Sequence, residues 1–259
     1  MKDKAFTEER HQKILDHINL KGRAKVEELS RYCNVTEMTI RRDLLALEKQ
    51  GLLYRAYGGA LKREGKSIWQ LSTLQTRLQQ HEEEKERIAI WVSQMIRDGE
   101  SLMIDGGSTT TKIAQQLRGK KNLLIVTNAL AIGEILVESN DNKVILTGGE
   151  LLKETNALMG NATESALSNY RADKAIIGVS GLIPSEGCFA AIPQEGGIKN
   201  LMMRNSQQTI IVTDSSKIGT RAFYRFCDFN HIHILVTDKN VKKNDLSILK
   251  KTGIDVIAV

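Results

Sequence analysis

Between residues 24 and 60 the chain reads AKVEELSRYCNVTEMTIRRDLLALEKQGLLYRAYGGA, and its apolar positions form two helical stripes followed by a short extended pair. Ile40, Leu44 and Leu47 recur at helical spacing and define an inward arc. Met38, Arg42 and Lys49 then lie about half a turn away, with Thr39 and Arg41 beside them, so the outward face is polar and cationic near the helix start. Thr36 is placed to cap that helix, and Asn34-Val35 links it to a preceding stripe of Val26, Leu29 and Cys33. Two short helices about a tight turn predict a helix-turn-helix. After Gly51, LLYRAYGGA has the content of a two-stranded wing turning at Gly58-Gly59.

A different rhythm begins at Lys85, where Ile88, Val92 and Met95 share one face of a helix predicted to end near Asp98-Gly99. Beyond it, short apolar runs alternate with helical patterns. SLMI precedes DGGSTT and TKIAQQL, LLIV precedes TNALAIGEILVES, VILT precedes GGELLKE, AIIG precedes VSGL, TIIV precedes TDSSKIG, and HILVT precedes DKN. This pattern predicts an α/β fold with a mostly parallel sheet and helices on its faces. Three regions follow: a winged helix-turn-helix over residues 1–63, a partly helical polar linker over 64–84 containing Glu82 to Glu84, and an α/β domain over 85–259.

Charge sharpens the first region. Residues 1–63 hold 14 Lys or Arg against 9 Asp or Glu, a net of +5, whereas the whole 259-residue chain carries +6. A basic excess confined to one quarter of the chain is the electrostatic footprint of a nucleic-acid binder. A recognition helix presents its N-terminal residues to base edges, which puts Thr36, Glu37, Thr39 and Arg42 at the major groove of duplex DNA. Arg41, Lys49, Arg55 and Tyr57 complete the expected DNA-binding set, the last two against the sugar–phosphate backbone.

Composition excludes other classes. No apolar run approaches the roughly 18 residues that span a bilayer, and the charged start MKDK is unlike a signal peptide, so a cytoplasmic protein without membrane partners is expected. Cys33, Cys188 and Cys227 are too scattered in sequence to announce a disulfide framework or a zinc site. His231 and His233 share a strand face but have no evident third ligand, so neither a metal nor a cofactor is expected.

In parallel sheets ligands bind beyond the C-terminal strand ends, where the polar clusters of this chain fall. Asp105-Gly106-Gly107-Ser108-Thr109-Thr110 opens a predicted helix, whose free N–H groups and dipole suit an anion, phosphate above all. The Gly-Lys-Ser/Thr ending of a nucleotide triphosphate loop is absent. Asn128, Gly148, Gly149, Glu195, Asp214 and Lys217 add amide, carboxylate and ammonium groups. In this set Lys217 pairs with phosphate while Asp105, Glu195 or Asp214 accepts hydroxyl hydrogen bonds.

These motifs together resemble the DeoR family of bacterial sugar-metabolism regulators. The stretch VEELSRYCNVTEMTIRRDLLALEKQGLLYRAYGGA resembles the family's helix-turn-helix signature, and DGGSTT, VTN, TGG, MGNATE and TDSSKIG resemble its sensor motifs in their usual order. The resemblance implies a winged helix joined to a sensor related to ribose-5-phosphate isomerase and the coenzyme A transferases. It implies repression of a sugar operon, with release from operator DNA by a phosphorylated sugar. Gly178-Val179-Ser180-Gly181 departs from it, because the family commonly has an Asp near Ser180; CFAAIPQEGG likewise departs from the usual Asn-Glu pair, with Gln194 before Glu195. Ser180 stays among the effector-binding positions but cannot act as a carboxylate base, so no catalytic residue is expected. The alternatives are a sugar-phosphate isomerase or lyase carrying a DNA-binding domain, and a regulator that activates or whose sensor chiefly mediates assembly. A homo-oligomer is expected, since one winged helix reads too few base pairs for selectivity.

Overall fold

The computed structural model describes residues 2–49, 52–56, 58–62, 72–138 and 141–259. The chain divides into two units, Met1–Ser67 and Ile68–Val259.

The first unit runs α1 (Lys2–Lys21), β1 (Arg23–Lys25), α2 (Val26–Cys33), α3 (Glu37–Lys49), β2 (Leu53–Ala56) and β3 (Gly59–Lys62). Its core joins Ile14 and Ile18 of α1 to Leu29 of α2 and to Ile40, Leu44 and Leu47 of α3, the arc expected from sequence. Asn34 takes the left-handed conformation (φ 52°) that ends α2, and its N–H and that of Val35 return to the α2 carbonyls. Thr36 caps α3, its Oγ1 accepting from the Thr39 N–H at 3.3 Å. The wing differs from expectation. It is a three-stranded sheet in the order β1-β3-β2, and Gly59 already pairs with Ala56 and Lys25, so it belongs to β3 and not to the turn. A Cβ on Gly59 would stand 2.3 Å from the Ala24 carbonyl oxygen, so glycine permits the third strand to approach.

The second unit contains α4 (Leu74–Gln79), α5 (Glu82–Gln94), β4 (Ser101–Ile104), α6 (Ser108–Gln116), β5 (Leu124–Thr127), α7 (Leu130–Val137) and β6 (Lys143–Leu146). It continues with β7 (Glu150–Leu152), β8 (Ala157–Met159), α8 (Asn161–Ser168), β9 (Ala172–Gly178), β10 (Gly181–Ile183), β11 (Gly187–Ala190), α9 (Pro193–Arg204) and β12 (Ser206–Val212). The last elements are β13 (Tyr224–Cys227), β14 (Ile234–Thr237), α10 (Lys243–Lys250) and β15 (Asp255–Ala258). Seven strands pair in parallel in the order β15-β14-β12-β9-β4-β5-β6.

Period-2 alternation splits the strand side chains between two cores. Leu102, Ile104, Ile176 and Ile210 meet α5, α6 and α7 on one face, while Met103, Ala175, Ile177 and Ile211 join residues of α8, α9 and α10 on the other. All six apolar runs became strands of this sheet, and β15 adds a seventh.

The helical or polar partner of each run was less regular. GGELLKE forms strand β7 of the β7–β8 hairpin rather than a helix, and VSGL enters β10 of a small antiparallel sheet β10-β11-β13. Glu82 to Glu84, placed in the linker from sequence, occupy the first turn of α5, where carboxylates complement the helix dipole. Residues 74–79 of the same stretch form α4, whose Leu74 N–H donates to the Glu154 carbonyl in the second unit. Residues 63–71 lie outside the described residues. Among the described residues, no helix is long and apolar enough to cross a membrane. Cys188 and Cys227, distant in sequence, are register partners across β11 and β13 as free thiols.

Candidate DNA-reading face and effector crevice

On α3, Thr36, Glu37, Met38, Arg41 and Arg42 are exposed and Thr39 is half-buried, so the side opposite the Ile40–Leu44–Leu47 arc is free to meet a surface. Arg41 pairs with Glu37 at 2.8 Å, an exposed i,i+4 contact weak enough to be exchanged for a phosphate. Arg42 has no ion pair among the described residues. In the wing, Arg55 is exposed, with its backbone N–H donating to Glu48 at 3.1 Å and its guanidinium 3.8 Å from the same carboxylate. Lys49 ends α3, but its side chain, like the whole of Tyr57, lies outside the described residues.

In the second unit the strand order fixes where a crevice opens. From β4 the chain steps outward one way through β5 and β6, then returns to the other side of β4 as β9 and steps outward through β12, β14 and β15. The switch point therefore lies between the C-terminal ends of β4 and β9, the position at which open α/β sheets bind ligands. Asp105 leaves β4 there and is 3% exposed. Its Oδ2 accepts from the Gly178 N–H at the end of β9 (3.2 Å) and from the Lys199 ammonium of α9. Glu195 lies one turn before Lys199 on α9 and is also buried. Burial pushes the Glu195 carboxyl above its ordinary range against the pull of Lys199 and Arg77.

Arg77 of α4 is the fourth charged group of this cluster, and sequence reasoning missed it. Its Nε and Nη2 are buried without a hydrogen-bond partner. Burial lowers the guanidinium pKa despite the attraction of Glu195 and Asp105. Lys85 of α5, also missed, is 3% exposed and donates to the Arg77 and Gln80 carbonyls at the C-terminal end of α4. Burial brings Lys85 down to about 8; Lys217 and Arg77 act in the same direction, while Asp214 opposes. Lys85 thus joins the Arg77 cluster electrostatically to the expected residues Asp214 and Lys217.

The remaining expected positions divide. Asn128 is 2% exposed; its Nδ2 donates to the Leu158 carbonyl while its Oδ1 is buried without a partner, an acceptor available to a hydroxyl. Ser108 and Thr109 stand in the first turn of α6 and are buried. Thr110 is 0% exposed and its hydroxyl donates to the Gly107 carbonyl at 3.0 Å. Gly106 is required by close packing, since a Cβ there would meet the Ala157 and Ala129 side chains at 3.1 and 3.3 Å. Gly148 and Gly149 shape the turn into β7 instead of standing free: the Gly148 carbonyl accepts from Thr163, and a Cβ on Gly149 (φ +121°) would fall 2.3 Å from Thr163 Oγ1. Ser180 sits just beyond β9, half-buried, its N–H donating to the Phe189 carbonyl. Asp214 is committed locally, accepting from the Ser216 N–H and hydroxyl, whereas Lys217 is half-buried with no ion pair among the described residues.

The model of the DeoR C-terminal sensor domain matches residues 80–239, and that of the DeoR-like helix-turn-helix domain matches residues 10–64. The chain belongs to the DeoR family. Among its relatives, a protein named putative aga operon transcriptional repressor from Escherichia coli O157:H7 is 30% identical, covering 98% of this chain and 94% of its own length. The glycerol-3-phosphate regulon repressor of Escherichia coli K12 is 34% identical over 89% of this chain and 90% of its own. The HTH-type transcriptional repressor GlcR of Bacillus subtilis is 30% identical over 97% and 96%. A ribose 5-phosphate isomerase A from Neisseria gonorrhoeae aligns over 57% of this chain and 56% of its own at 16% identity and TM-score 0.39, so the architecture rests on the strand order and not on that likeness. This DeoR-family chain is a DNA-binding regulator of carbohydrate metabolism, and its family is one of transcriptional regulators and not of isomerases.

Proposed function

We propose that this DeoR-family chain represses an operon for uptake or catabolism of a sugar, binding operator DNA through α3 and the wing and leaving it when a phosphorylated sugar occupies the crevice. The relatives' names support repression. The observation that carries the effector reading is the buried, unpartnered edge of Arg77 beside Asp105, Glu195 and Lys199. Such donors are costly until an anion arrives, and a phosphate satisfies them. Lys217 and the start of α6 offer further cationic and N–H groups, while the free Asn128 Oδ1 selects a ligand that also carries a hydroxyl. Glu195, its carboxyl pKa raised by burial, adds an acceptor for a ligand hydroxyl.

In this reading the repressor works in the cytoplasm as a homo-oligomer that offers paired winged helices to two operator half-sites. The effector acts by differential affinity: it favours the arrangement in which the pair no longer matches the half-sites. A switch from 1:99 to 99:1 requires about 5.5 kcal/mol of preference, within reach of a phosphate contact repeated across an oligomer. The test is fluorescence anisotropy of the full chain on a duplex that it selects from a random library, with a panel of sugar phosphates and the corresponding free sugars. Release by one phosphorylated sugar and not by its free sugar is expected; equal release by both would remove the phosphate from the account.

A further inference from the structure

Helix α1 holds the recognition helix by a charged contact. Asp43 of α3 lies next to Arg42 and is 2% exposed. Arg10 of α1 donates to it from two nitrogens, Nε to Oδ2 at 2.6 Å and Nη2 to Oδ1 at 3.1 Å, and His11 Nε2 lies 3.1 Å from Oδ1. We propose that Arg10 is a positioning residue for DNA recognition, a two-pronged clamp on Asp43 that sets the roll of α3 and thereby aims Arg42 and Thr39 at base edges. The inference rests on the reading of α3 as the DNA-reading helix.

Ile14 and Ile18 of α1 and Ile40, Leu44 and Leu47 of α3 share one apolar core. Apolar contacts fix separation but are not directional, so they tolerate small rotations. A guanidinium fork on a carboxylate fixes angle as well as distance. Successive residues on a helix are related by a fixed rotation, so locking the Asp43 carboxylate also locks the directions of Arg42 and Thr39. Stability does not explain the pair, because well-packed apolar residues of similar volume serve a buried site as well or better. Nor does direct DNA contact, since the Arg10 side chain is only 15% exposed and two of its nitrogens are engaged by Asp43.

The experiment compares wild type with Arg10→Gln, Arg10→Lys and Asp43→Asn in the full chain, on the library-selected duplex and on a scrambled one, across a salt series and with thermal unfolding alongside. Arg10→Gln and Arg10→Lys are each expected to weaken selected-duplex binding by about tenfold or more, the value of one well-made base contact, while scrambled-duplex affinity and salt slope stay unchanged. Arg10→Lys retains the charge and loses the fork, so it decides the question even if Arg10→Gln or Asp43→Asn fails to fold. Full selectivity in Arg10→Lys would overturn the proposal. So would a parallel loss on both duplexes with a salt slope lowered by about one, which marks a direct phosphate contact. Loss on both duplexes that follows a lowered melting temperature would assign Arg10 a structural role only. A wild-type chain that selects no duplex would overturn the reading of α3, and this proposal with it.

Discussion

Replacing Arg77 with Met separates stability from response, because the structure gives the two opposite signs. Arg77 Nε and Nη2 are buried without partners, and burial outweighs the pull of Glu195 and Asp105 on the guanidinium. An unsatisfied buried donor costs about 1–3 kcal/mol, and methionine keeps most of the apolar stem without the donors. The unliganded second unit of Arg77→Met is therefore expected to be more stable by about 1–3 kcal/mol. For a unit of roughly 190 residues, each kcal/mol moves the midpoint by about 2–4 °C, a shift that scanning calorimetry of the full chain resolves. The same variant should lose the thermal stabilisation conferred by the effector and its release from DNA. A lower melting point without ligand, or an effector shift equal to that of wild type, would show that Arg77 is satisfied within the fold and is not the anion's partner.

Other outcomes follow from the same geometry. Arg42→Ala should cost about 1–3 kcal/mol of selected-duplex binding and relax preference at one base position; unchanged selectivity in a binding-site selection would remove it from the interface. Lys217→Met should leave DNA binding intact while raising the effector concentration needed for release, and an unmoved release curve would exclude it as a phosphate ligand. Asp105→Asn leaves the Lys199 ammonium buried without its partner and should destabilise the second unit by about 3–5 kcal/mol in urea unfolding, whereas Asp105→Leu with Lys199→Met should recover most of that loss. Lys85 titrates at about 8 when folded and near 10.5 when unfolded, so the unfolded state binds more protons between those values and stability should rise with pH across that window. Lys85→Met should lack that rise relative to wild type; parallel pH profiles would refute the assignment.

The sheet was legible because strands buried on both faces must be continuous apolar runs, and SLMI, LIVT and TIIV have no other home. The inward arc of α3 was legible for the same reason at helical spacing. GGELLKE misled because Leu151 and Leu152 suit a helix or a strand equally, and the deciding fact is the antiparallel pairing with Ala157–Met159, the strand that follows it in the chain. Glu195 and Lys199 were findable as an i,i+4 pair on a helix opened by Pro193, although only Glu195 was named. Arg77 left no local signal. Its segment LQTRLQQ reads as a solvated connector, and the role comes from where α4 packs and from the buried, unpartnered Nε and Nη2 of the side chain. In the wing, Gly59 was read as part of the turn, while the approach of Ala24 from a strand not foreseen explains why it is glycine.

In the proposed mechanism crevice and DNA are linked through one equilibrium, and linkage is reciprocal. The direct test is calorimetric titration of the releasing sugar phosphate into the full chain, once free and once saturated with the selected duplex. DNA should weaken effector binding by the same factor by which the effector weakens DNA binding. Equal effector affinity in the two titrations would contradict it.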